Sequence, residues 1–288
     1  SMANYGRGMW LWDSGFHAMS LLSGGRGARS LKKAQDQLAV LINAGKIVGH
    51  IPRVVGPHGI ETDTQPPGIL TWASLVVHEK TKDTRFLSDA YESFAQNNQW
   101  YYQNRSTADG LCTWAGEDSG WDTSPRWDKG VVEAIDLNAW LHLDHRCLAQ
   151  MARLLGKDAE AAAWSEKASA SAAAVQEHLW DGESKAFWDR LPAAADRAAE
   201  FVKVVTPATF WSLLSGIATP EQAAAQAEVM LTPERLLSPF PMPCVGVSEP
   251  TFQPTNYWRG TPTNAQRGLC FRITHGAVPY SQVPCGST

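Results

Sequence analysis

Cysteine is scarce in this sequence and poorly spaced for any framework. Five occur: Cys112, Cys147, Cys244, Cys270 and Cys285. The number is odd and no CxxC is present, which argues against a disulfide scaffold and a zinc ribbon. Reduced thiols in a cytoplasmic protein are the expectation. No apolar run reaches the roughly 18 residues that a membrane span needs. No basic stretch followed by an apolar one comes after Ser1, so no signal peptide is expected. GxSxG, the P-loop and GxGxxG are all missing, which weighs against a serine hydrolase, an NTPase and a dinucleotide enzyme. There is no surplus of basic charge: 25 Lys+Arg stand against 29 Asp+Glu, a net charge of −4. That balance excludes a general nucleic-acid binder and a polybasic membrane binder. The histidines show no metal-ligand spacing, and His142 and His145, with Asp144 between them, read as structural. No metal and no cofactor is expected. Strand signal is confined to one short stretch, 185–189.

What is present is a globular composition, 44% hydrophobic and 19% charged, long enough to bury a sizeable core. Tryptophan is abundant, with 13 residues. An indole offers a flat apolar face and one N–H donor, which suits stacking on sugar rings. It equally suits a tryptophan-rich core, and the count leaves both readings open. Helical periodicity dominates. Leu31, Ala34, Leu38, Leu41 and Ile42 form one stripe over 29–44, and Gly45 follows as a stop. The segment 68–80 is apolar almost all round. A third helix is predicted over 84–104, a pair over 132–155 and 158–179, and a further pair over 207–215 and 220–231. The last two each begin with Thr-Pro, a cap followed by proline at the first helical position. The spacing predicts a nearly all-α chain of helix pairs in a single domain over 1–288. Long, chemically loaded loops are expected at 47–65, 106–130 and 238–262, with an atypical tail at 270–288.

Four segments carry candidate chemistry. They are WLWDSGFH at 10–17, TDTQPP at 62–67, GEDSGWDTSPRWD at 116–128 and NYWRG at 256–260. Each joins an aromatic or proline-rigid frame to a carboxylate, amide or guanidinium, and each lies near a predicted helix start. If consecutive helices pack as hairpins, these starts converge on one end of the bundle and make a polyol site. The third segment is the richest, with Glu117, Asp118, Asp122 and Asp128 beside Trp114, Trp121 and Trp127. A carboxyl packed against indoles loses hydration and its pKa rises, as a general acid near neutral pH requires. An acidic loop capping the helix after Pro125 would carry the same residues.

In this order the four segments resemble inverting α-glycosidases with an all-α, (α/α)6 barrel. The nearest likeness is to the bacterial branch of glycoside hydrolase family 63, which includes glucosylglycerate and mannosylglycerate hydrolases. Family 37 trehalases share the SGWD loop. The resemblance covers about residues 4–269. It implies that Asp122 is the general acid and that Asp13 contacts the sugar, with Trp10 stacking nearby. It implies that Gln65, Trp121, Tyr257 and Trp258 also line the sugar site. Arg126, by charge, is expected to meet the carboxylate of an aglycone such as glycerate. The partner implied is a small carbohydrate, a small α-glucoside or α-mannoside.

The family's general base is a Glu on a loop well after YWRG. Here no Asp or Glu occurs after Glu249. Two expectations follow: an inverting hydrolase whose base is not found in this stretch, or a truncated or inactive homologue that only binds sugar. On the second, the chain as written has little turnover. A third reading, a helical scaffold for protein partners, predicts a regular repeat and tryptophan-poor loops, and neither is seen.

Overall fold

The computed structural model describes residues 8–24, 27–63, 68–238 and 242–260. The chain divides into two compact units. One holds 8–104 and 143–169, the other 105–142 and 170–260.

In the first unit, β1 (Met9–Trp10) leads directly into α1 (Leu11–Gly24), followed by α2 (Ala28–Val48), β2 (Val54–Gly56), β3 (Gly59–Glu61), α3 (Gly68–Thr81) and α4 (Thr84–Arg105). Two further helices, α5 (Ile135–Leu154) and α6 (Asp158–Leu179), contribute to both units. The stripe on α2 is buried at Ala34, Leu38, Leu41 and Ile42, the period expected of a helix with one face in a core. Leu31 is only half-buried, one turn from the helix start. The almost wholly apolar α3 is buried at Ile69, Leu70, Trp72, Ala73, Leu75 and Val77. Helix α1 packs on α2 and α3. A Cβ at Gly15 would stand 2.5 Å from the Ile69 side chain, so the glycine of WLWDSGFH sets how closely α1 approaches α3. The segment expected as a loop at 47–65 contains β2 and β3, which join β1 in a small antiparallel sheet in the order β1-β2-β3, with Trp10 opposite Val54.

This unit also buries a carboxyl. Asp144 on α5 accepts hydrogen bonds from the Thr71 hydroxyl and, at 2.9 Å, from Asn98 Nδ2. His145 meets the other side of the Asn98 amide at 3.2 Å. Burial lifts the Asp144 carboxyl to about 7, against the two hydrogen bonds.

In the second unit, β4 (Thr113–Trp114), β5 (Val132–Glu133), β8 (Asp189–Leu191) and β9 (Glu200–Val202) form an antiparallel sheet in that order, and β6 (Trp180–Asp181) pairs with β7 (Ala186–Phe187). The stretch 185–189 is therefore the end of one hairpin and the start of another strand. The predicted helix at 207–215 is a 3-10 turn, Pro207–Phe210, running into the single turn α7 (Trp211–Leu214). The predicted helix at 132–155 starts three residues later, because Val132 and Glu133 pair in the sheet. Helix α8 (Pro220–Met230) begins with a full capping box between Thr219 and Gln222, with Pro220 at its first position. A core of Ala186, Trp188, Val205, Met230 and Leu236 is covered by Phe201, Phe210, Val229 and Met242.

Candidate active site

The 3-10 turn Gly116–Ser119 and the proline-led turn Pro125–Trp127 bracket Asp122 in the second unit. Ser119 Oγ accepts from the Trp121 amide at 2.9 Å, the Trp121 carbonyl accepts from the Ser124 amide at 2.8 Å, and Ser124 caps the second turn. Short polar side chains bonding to their own backbone hold such loops without regular structure. Trp121 is fully buried, and its carbonyl also accepts the Trp127 indole N–H at 3.0 Å.

The 256–260 motif lies against this loop. The Trp121 and Trp258 rings are 5.1 Å apart, tilted by 41°, and Tyr257 stands 5.4 Å from Trp258. Arg259 donates to both Asp128 oxygens, through Nη1 at 3.0 Å and through Nη2, and its Nε donates to the Thr123 carbonyl at 2.8 Å. In return the Thr123 hydroxyl donates to the Tyr257 carbonyl. Trp258 has φ +58°, the left-handed region, which is a genuine outlier for a bulky side chain and costs about 1–3 kcal/mol. Gly260 has no room for a side chain: a Cβ would fall 1.9 Å from the Gln253 carbonyl oxygen. That close approach is what the glycine of YWRG secures.

The Asp122 carboxyl is half-buried at this junction. Its pKa is raised, chiefly because burial strips water from the charged form. Hydrogen bonding by the Tyr257 side chain pulls the other way, as does the nearby Trp258 indole, and the negative charge of Glu117 adds to the rise.

Arg126 is placed otherwise than its charge suggested. It is fully buried, and its guanidinium forks onto Asp136 at 2.6 and 2.8 Å and onto Asp189 at 2.7 and 2.8 Å. It lies over the Trp127 ring at 4.5 Å. Burial lifts the Asp136 carboxyl above its ordinary range, with Arg126 opposing; burial lowers the guanidinium, but the two carboxylates together outweigh it and leave it raised. A fully buried guanidinium that spends four hydrogen bonds on two buried carboxylates is closed to a substrate. Arg126 anchors the loop.

Trp10 and Asp13 belong to the first unit. Trp10 is half-buried in β1, and Asp13 is half-buried in the first turn of α1. Gln65 lies outside the described residues. Nine of the thirteen tryptophans are buried, so packing takes most of them. Of the expected sugar-site tryptophans, Trp121 and Trp258 are among the buried ones. Sequence reasoning missed Thr123 and Arg259 and, though it named Asp128 among the carboxylates, the pairings of all three, which span more than 130 residues of chain. The one available signal was that each sits inside a motif already singled out. Among the described residues no group of His, Cys, Asp or Glu could hold a metal, and no helix is long and apolar enough to cross a membrane.

The fold is shared with solved enzymes. The GH63 mannosylglycerate hydrolase from Thermus thermophilus in complex with glucose matches with TM-score 0.75 and 21% identity, over 88% of this chain and 77% of that one. The same enzyme in complex with Tris and D-glycerate gives TM-score 0.74 and 22% identity, over 87% and 76%. Neutral trehalase Nth1 from Saccharomyces cerevisiae gives 0.64 and 19%, over 78% and 53%. These likenesses put the fold in the all-α, (α/α)6 class. Residues 6–262 match the mannosylglycerate hydrolase MGH1-like glycoside hydrolase domain, so the chain belongs to that family. It is a glycoside hydrolase of the family 63 type.

Proposed function

We propose that this chain is a cytoplasmic catalytic domain hydrolysing a small α-glucoside or α-mannoside of the glucosylglycerate or mannosylglycerate kind, with inversion. The observation that carries the reading is Asp122: a half-buried carboxyl with a raised pKa, met by the Tyr257 and Trp258 side chains on a fixed loop. Asp122 gives its proton to the glycosidic oxygen as the bond to the anomeric carbon breaks. Water enters on the opposite face and yields its proton to a base. In inverting enzymes the two carboxyls stand roughly 6.5–9.5 Å apart to admit that water. Asp13, Gln65 and Trp10 are proposed sugar contacts, with Tyr257 and Trp258 at the acid. The Thermus thermophilus enzyme binds glucose and D-glycerate, which supports the substrate class.

One observation favours a second reading, sugar binding without turnover. Two carboxylates that a substitute base would draw on are already engaged. Asp118 pairs with Arg105 at 2.6 Å, and Glu249 accepts from the Val205 amide at 3.0 Å. Calorimetric binding of glucosylglycerate and mannosylglycerate, run beside turnover, separates the two readings. Binding with turnover supports hydrolysis, binding alone supports the second reading, and neither refutes both.

A further inference from the structure

We infer that Arg259 is a positioning residue that straps the 256–260 segment to the 121–128 loop and thereby holds Tyr257 and Trp258 against the Asp122 carboxyl. Its bearing on catalysis rests on the reading of Asp122 as general acid. Three facts carry it. First, every guanidinium nitrogen of Arg259 is bonded to the loop that contains Asp122. Nη1 and Nη2 take the two Asp128 oxygens, six residues beyond Asp122, and Nε takes the carbonyl of Thr123, the next residue. Second, the strap is reciprocal, because the Thr123 hydroxyl donates to the Tyr257 carbonyl two residues before Arg259. Third, the residue between Tyr257 and Arg259 is Trp258, held at φ +58° with its side chain buried. A left-handed tryptophan persists only where its surroundings over-determine it, and the two bonded neighbours supply that constraint.

The groups facing Asp122 are Tyr257, Trp258 and Glu117. The first two depend on the strap and the third does not. Arg259 is worth more here as a planar fork than as a charge. A lysine keeps the charge but not the bidentate geometry that fixes two segments in register. With the strap released, Trp258 relaxes from its strained backbone and water reaches Asp122. The charged carboxylate regains hydration, which outweighs the loss of the Tyr257 and Trp258 interactions because burial is the largest influence on the group, and its proton is lost at lower pH.

The test reads Asp122 directly, by carbon NMR of the aspartate carboxyls over a pH series, with the resonance assigned by its loss in Asp122→Asn. Arg259→Gln is expected to lower the Asp122 midpoint by about one pH unit, a tenfold change in the proton's equilibrium. Arg259→Lys and Asp128→Asn, which keeps the bond to the Thr123 carbonyl, are expected to fall between it and the parent. If Arg259→Gln does not fold, as judged by near-ultraviolet circular dichroism, those two milder variants carry the same criterion. Folded variants in which Asp122 titrates as in the parent overturn the inference. Failure of the catalytic reading looks different. There, Asp122→Asn keeps the parent's turnover while the Arg259 variants still shift the Asp122 titration.

Discussion

Replacing Arg126 by Met separates an anchoring guanidinium from a substrate-binding one. Methionine keeps much of the length and apolar stem, so the change is mainly the loss of charge and of four hydrogen bonds to two carboxylates. Asp136 and Asp189 are 1% and 4% exposed, and each keeps one backbone donor, from Leu137 and Ile135, both at 2.9 Å. Breaking a buried ion pair by removing one partner costs about 3–5 kcal/mol, because the remaining charge is stranded. The loss of the cation over Trp127 acts in the same direction. A pH dependence follows. Burial raises the folded-state pKa of Asp136 even with Arg126 present, and removing the opposing cation raises it further. The folded variant then holds more protons than the unfolded chain, so its stability falls as pH rises toward the raised value. The urea midpoint of Arg126→Met is expected well below the parent's, with a smaller deficit at pH 5 than at pH 7. Adding Asp136→Asn and Asp189→Asn is expected to recover part of the loss, since no charge is then stranded. An unchanged midpoint together with weakened binding of glycerate-bearing sugars would refute the reasoning and return Arg126 to the substrate.

The buried Asp144 predicts a second pH effect. Its carboxyl sits at about 7 in the folded state against about 3.9 unfolded, so the folded chain holds a proton that the unfolded one has lost. Stability falls as pH rises from about 4 to 7, by roughly 4 kcal/mol at most. Asp144→Asn should flatten that slope in urea unfolding, and an unaltered slope would show that another group carries it. Gly260→Ala is expected to displace the 251–260 segment, because the obstructing atom is a backbone oxygen at 1.9 Å. Limited proteolysis should cut the variant there at a rate at least tenfold higher, and equal rates would show that the segment tolerates a side chain.

Most helices were legible because their apolar stripes are long and their ends are marked. The stripe on α2 and the Thr219–Pro220 start of α8 are examples. Of the strands only the stretch at 185–189 was legible; at two or three residues each, the others are too short for an alternation of period two to show. At the site, motif composition pointed to Asp122, Trp121, Tyr257 and Trp258. It could not show that Arg126 is spent on Asp189, 63 residues away, or that Arg259 reaches Asp128 across 131. A guanidinium's partner is a matter of folding in space, and the same Arg reads as anchor or as ligand until that partner is seen. The strained backbone of Trp258 has no signature in its residue type, since a bulky side chain disfavours the conformation it adopts.

The most direct measurement is turnover of mannosylglycerate and glucosylglycerate by the parent chain and by Asp122→Asn, with sugar binding measured on both. The account predicts that any turnover falls by about 10²–10⁴-fold in the variant while binding stays within a few-fold, and that the parent's rate declines as pH rises through the raised Asp122 pKa. Turnover that is unchanged in Asp122→Asn would contradict it.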